Sequence, residues 1–186
     1  MDLSLKFTSA LPYHEFLDRY GSPAQRSRWQ ATYDDVVLSN QQRDLLAGFV
    51  RRMKVLVLAG AWCGDCARQC PIFHRFAELA PVINLRFLDR EDHPDVRHAL
   101  RINGGDRVPV AVFLSEDGHE VARYGDRTLS AYRELAAQLD GAACASGVAR
   151  PGDPLLARVA QDWLNEFERV QWILRLSPRL RQLHGD

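Results

Sequence analysis

Two cysteines three residues apart, Cys63 and Cys66 in Trp62-Cys63-Gly64-Asp65-Cys66, directly follow the apolar run Val55–Ala61. The reactive form of cysteine is the thiolate, and the free N–H groups and positive dipole end of a helix N-terminus favour it. A helix opening here therefore makes Cys63 a candidate nucleophile. Residues three apart share a helical face, so Cys66 can attack a mixed disulfide formed at Cys63. The chemistry this spacing predicts is a reversible dithiol–disulfide cycle. Asp65, between the two, carries a charge that opposes the dipole and raises the pKa of nearby thiols.

Cys70 and His74 extend the series and invite a metal reading. Along one helix, however, Cys63 and His74 lie ~16 Å apart, whereas ligands of one zinc ion sit ~2.0–2.3 Å from it. No metal is therefore expected, and no cofactor beyond the Cys63–Cys66 disulfide itself. Cys70 reads either as a small buried apolar side chain or as an auxiliary thiol exchanging with Cys66. Cys144 reads as an accessible free thiol. His14, His93, His98, His119 and His184 stand in polar surroundings and read as solvated side chains.

The elements that must hold these residues follow from periodicity. Lys54–Ala61 is short and continuously apolar, as in a strand covered on both faces. A helix from Cys63 to about Leu79 presents Phe73, Phe76 and Leu79 to the sheet and is interrupted by Pro71, which cannot bond to the Ala67 carbonyl and predicts a kink. Strands are predicted at Val82–Leu88, Val108–Leu114 and Glu120–Tyr124, the last pair joined at Asp117-Gly118. Short helices are expected at His93–Ile102 and after Thr128. Ahead of this unit, Tyr13–Tyr20 and Ala24–Val37 read as helices, and Ser39 with Gln42 forms a capping box. Behind it, Pro154 opens a long helix with the stripe Leu156, Val159, Trp163, Phe167, Val170 and Leu174. The expected organisation is a helical N-terminal extension over 1–52, a central unit over 53–140, a linker over 141–152 and a C-terminal helical extension over 153–186.

Residues 53–140 resemble the thioredoxin family. The resemblance rests on Trp62-Cys63-Gly64-x-Cys66 after an apolar strand, Pro71 within the helix, Val108-Pro109 before a strand, and Gly125 after the hairpin strand. It implies a three-layer α/β/α fold with a mixed central sheet. It implies a cis bond between Val108 and Pro109, placing Pro109 beside the sulfurs and offering the Val108 backbone to an extended substrate segment. It also implies a thiol–disulfide oxidoreductase, with Cys63 as nucleophile, Cys66 as resolving thiol and Trp62 in the docking face. From the residues alone Trp62 fits a core position equally well. Three departures stand out. Val57 occupies the position of the family's buried acid, Asp65 replaces the usual proline between the cysteines, and Asn103-Gly104-Gly105-Asp106 lengthens the loop before Pro109.

The 186 residues carry 24 Lys+Arg and 24 Asp+Glu, a balance that leaves no electrostatic footprint for nucleic acid or an anionic membrane. No segment is long and apolar enough to span a bilayer, and the N-terminus lacks the pattern of a secretory signal. With cysteines crowded into one motif, a cytoplasmic location is expected. The partners expected are disulfide-containing substrate proteins and an electron donor, either a reductase or a low-molecular-weight thiol. The alternative is a non-catalytic redox-sensing or protein-interaction module. Reduction of a small oxidant is a third reading, for which the chain supplies no dedicated pocket residues.

Overall fold

In the computed structural model, which describes residues 1–138 and 154–186, the apolar run becomes β1 (Met53–Ala59), central in a four-stranded sheet. Val55 to Ala59 are all buried, so both faces of β1 are covered. The neighbours of β1 are β2 (Ile83–Asp89), parallel to it, and β3 (Val110–Ser115), antiparallel. A parallel pair needs a long crossover, and α5 (Gly64–Leu79) supplies it. The edge strand β4 (Glu120–Gly125) returns along β3 after a turn in which Gly118 adopts φ +90°. The sheet order is β2-β1-β3-β4, a mixed sheet as expected.

Four helices precede the sheet: α1 (Leu3–Ser9), α2 (Tyr13–Tyr20), α3 (Pro23–Asp35) and α4 (Asn40–Ala47). The Ser39/Gln42 capping box is present, and Ser22/Gln25 forms a second one ahead of α3. Helices α6 (Pro94–Ala99) and α7 (Leu129–Ala137) flank the β3–β4 hairpin in sequence. α8 (Pro154–Arg175) and α9 (Pro178–His184) close the chain. The expected linker at 141–152, together with Leu139, Cys144 and Asp153, lies outside the described residues.

Two aromatic clusters join the flanking helices to the sheet. On one side Tyr13 and Phe16 of α2 and Trp29 of α3 meet Phe87 of β2. On the other, Phe167 of α8 touches Phe73 and Phe76 of α5 and Phe113 of β3. All but Tyr13 are 0–1% exposed. Each large apolar side chain so buried contributes about 1.5–3 kcal/mol relative to exposure, so the flanks belong to the same core as the strands. A polar clasp adds to this: the Gln171 side chain both donates to the Arg51 carbonyl (2.7 Å) and accepts from the Arg51 N–H (3.2 Å), tying α8 to the lead-in of β1.

Candidate active site

β1 ends at Ala59, the chain turns through Gly60-Ala61-Trp62, and α5 begins with Cys63 as its N-cap in extended conformation. The Cys63 N–H bonds the Gly60 carbonyl at 3.0 Å. Its sulfur accepts the Cys66 N–H at 3.5 Å, occupying the place a serine or aspartate side chain takes at other helix starts. Cys63 is half-buried, whereas Cys66 and Cys70 are fully buried beneath it, and all three are unbridged.

Opposite Cys63 stands the start of β3. The Val108–Pro109 peptide is cis, and the Cys63 thiol donates to the Val108 carbonyl at 3.7 Å. Val108 is itself buried. Gly125 closes this corner from β4: a Cβ there would come 2.5 Å from the Pro109 oxygen and 3.1 Å from Val110 Cα, so only glycine lets the two backbones approach. Trp62 is 47% exposed, which removes the core reading. The Arg90 guanidinium lies 5.2 Å from its ring centroid.

The electrostatics differ from those expected for an isolated helix start. The Cys63 thiol is held above its ordinary value, first by its hydrogen bond with the Cys66 thiol and then by burial, while the Cys66 backbone N–H acts in the opposite sense. Asp65 adds a smaller upward push. Burial drives Cys66 well above its ordinary value, although its bonds to Cys63 and to the Gly60 backbone oppose this. The helix terminus thus fails to outweigh desolvation and the neighbouring thiol. Asp65 is not a bare charge: Arg127 grips it with Nη2–Oδ2 at 2.6 Å and Nε–Oδ1 at 3.1 Å.

Several residues supporting this site escaped the sequence reading. Gln69 is 1% exposed and donates to the carbonyls of Asp126 (2.9 Å) and Asp65 (3.3 Å), while its oxygen accepts Trp163 Nε1–H from α8 (2.8 Å). Trp29 of α3 donates to the Ala61 carbonyl at 3.0 Å, holding the turn before Cys63 from the other side. Asp126, 2% exposed, accepts the Tyr132 hydroxyl and the Arg127 N–H. A polar residue on the buried side of a helix, as Gln69 is, was the available signal. The lengthened loop is pinned rather than open, with Asp106 paired to Arg97 (3.3 Å) and Arg101 (2.7 Å). Of the histidines, His184 bonds Glu116 at 2.7 Å, and His14 packs edge-on against His74. Among the described residues no three His, Cys, Asp or Glu side chains form a metal site, and no helix is long and apolar enough to cross a membrane.

A mixed sheet whose central strand delivers a Cys-x-x-Cys helix start to a cis-proline defines a thioredoxin-like α/β protein. The chain belongs to the thioredoxin family: the family model described as thioredoxin matches residues 10–139. Among solved structures, a Pseudomonas aeruginosa protein of unknown function is 15% identical, with a TM-score of 0.70 over 88% of this chain and 93% of its own. An HIV epitope-scaffold is 18% identical, with a TM-score of 0.65 and the same coverage. A Fasciola hepatica thioredoxin is 22% identical over 50% of this chain and 86% of its own, with a TM-score of 0.36. The fold shared with the first two includes most of the flanking helices. A comparison with curated proteins returns no match.

Proposed function

We propose that the protein is a thiol–disulfide oxidoreductase that reduces or exchanges protein disulfides through a Cys63/Cys66 cycle. The observation that carries this reading is the graded burial of the pair: Cys63 half-exposed beside exposed Trp62 and the Val108 carbonyl, Cys66 fully buried against it. The Cys63 thiolate attacks one sulfur of a substrate disulfide, forming a mixed disulfide and expelling the other sulfur as a thiolate. Cys66, deprotonated in turn, attacks Cys63 Sγ and releases the second substrate sulfur. The substrate gains two electrons and the protein is left with a Cys63–Cys66 disulfide. An electron donor, a reductase or a low-molecular-weight thiol, restores the dithiol.

Trp62, Val108 and Pro109 form the docking face in this reading, with Asp65 adjusting the thiols. No metal or organic cofactor enters the cycle, nor does nucleic acid or membrane. The cytoplasm suits it, because a reducing compartment keeps closely grouped thiols reduced.

A second reading is a redox-sensing or interaction module. Two observations favour it: burial and the neighbouring thiol push both cysteines above their ordinary values, and Trp163–Gln69 couples the motif directly to the C-terminal helix. Turnover separates the two. The oxidoreductase reduces a generic disulfide protein over many cycles with dithiothreitol as donor, and Cys66→Ser accumulates a mixed disulfide at Cys63. Stoichiometric oxidation with neither turnover nor trapping rejects the enzyme.

A further inference from the structure

Resting on the oxidoreductase reading above, we propose that Arg90 is a positioning residue for substrate docking. It ties together the two parts of the docking face: Trp62, next to Cys63 in the chain, and Val108, whose carbonyl the Cys63 thiol meets.

Arg90 directly follows β2, and its N–H bonds the carbonyl of Ala59 at 2.8 Å, the last residue of β1 before the turn that carries Trp62. From this fixed point the guanidinium reaches both parts. Its carbon lies 5.2 Å from the Trp62 ring centroid, within the ~6 Å over which an aromatic face attracts a cation. Its Nη1 donates to the Asp106 carbonyl at 2.9 Å, two residues before Val108.

Charged pairs close the arrangement into a ring. Arg90 Nε lies 3.0 Å from Glu91 Oε1, Glu91 Oε2 lies 2.8 Å from Arg97 Nη1, and Arg97 Nε lies 3.3 Å from Asp106 Oδ2. The Asp106 carbonyl then returns to Arg90. Such a network fixes geometry better than a lone surface pair does. The loop it holds is stiff in itself: Asn103 (φ +49°) and Gly104 (φ +70°) make a tight two-residue turn, and Ile102 and Gly105 exchange N–H···O bonds of 3.1 and 3.0 Å. A stiff loop moves as a unit, so its outside contacts decide where Val108 stands. Trp62 is half in solvent, and the guanidinium laid over its ring favours one orientation. Both effects act before substrate arrives, and preorganisation of this kind lowers the ordering cost of binding.

The test is reduction of insulin by the full chain with dithiothreitol as donor. Arg90→Met keeps an unbranched apolar stem and removes the charge and the donors. It is expected to raise KM for insulin several-fold with kcat unchanged, the signature of lost binding that substrate and transition state share. The rate of Cys63 alkylation by iodoacetamide is expected to stay the same. Arg90→Lys, which keeps the charge without the planar fork, is expected to recover part of the loss, and it carries the test if Arg90→Met does not fold. Because Arg90 acts in part through Trp62, the two are coupled: substitution of Arg90 in a Trp62→Ala background is expected to raise KM by a smaller factor than in the unmutated protein. An unchanged KM, full additivity with Trp62→Ala, or a fall in kcat with KM unmoved overturns the proposal, and turnover by the unmutated protein then leaves the oxidoreductase reading intact. No turnover by the unmutated protein overturns both.

Discussion

Asp65, inside the Cys-x-x-Cys loop, is clamped by Nε and Nη2 of Arg127, a residue 62 positions further on. Such a two-point carboxylate–guanidinium pair is geometrically specific as well as attractive. It turns the charge nearest the thiols into half of an ion pair. Arg127→Ala therefore releases Asp65's upward push on Cys63, and Asp65→Asn removes it. Alkylation of Cys63 by iodoacetamide at neutral pH is expected to slow with Arg127→Ala and to quicken with Asp65→Asn, because the thiolate fraction falls in the first and rises in the second. Equal rates in the two variants contradict this account.

The pH dependence follows from the direction of the Cys63 shift. A thiol held above its ordinary value, which lies near ~8.5, is mostly protonated through the neutral range. Alkylation of Cys63 should thus climb about tenfold per pH unit across the neutral and mildly alkaline range, with no plateau. The same linkage reaches stability. A raised folded-state pKa contributes stability that is fully present below the unfolded value and is lost as pH rises toward the folded value. A plateau in the rate profile below the ordinary thiol value means that the dipole at the start of α5 prevails after all.

Gly125 and Gly60 make a matched pair of tests. At Gly125 a Cβ meets backbone, the Pro109 oxygen at 2.5 Å; at Gly60 it meets the Trp62 ring at 2.8 Å, a side chain that is half in solvent. Backbone cannot yield without moving β3. Gly125→Ala is expected to lower unfolding free energy by about 1–3 kcal/mol in urea titration and to reduce disulfide-reductase activity. Gly60→Ala is expected to leave stability nearly unchanged and to raise KM for protein disulfides by displacing Trp62.

Trp163→Phe keeps the edge contacts with Phe73 and Tyr124 but deletes the donor to Gln69. The buried Gln69 oxygen is then unsatisfied, which costs about 1–3 kcal/mol, and Gln69 loses its anchor for the Asp65 and Asp126 carbonyls. The expected result is a lower urea midpoint together with a change in the Cys63–Cys66 reduction potential. A shift in midpoint alone assigns Trp163 a purely structural part.

Local features were legible in the chain because their causes are local. An apolar run ending in Gly60, a Cys-x-x-Cys at a helix start, the Ser39–Gln42 capping box and a turn glycine each depend on neighbours within a few residues. The strands and the helices from Tyr13 to Asp35 fall within about two residues of their expected places. The seven-residue helices Leu3–Ser9 and Pro178–His184 were missed, being too short to show a helical period. The partners of buried polar groups were not legible, because an apolar pattern states which face is covered and not by what. Gln69 finds Trp163 across 94 residues, Ala61 finds Trp29 across 32, and Asp65 finds Arg127 across 62.

The chain by itself determined that two thiols stand at a helix start after a buried strand, since spacing and apolarity decide that. Only the tertiary structure decided how those thiols hold their protons and which residues brace them. Desolvation and polar contact depend on packing, and packing alone made Cys66 fully buried beside half-buried Cys63, with Arg127 set against Asp65.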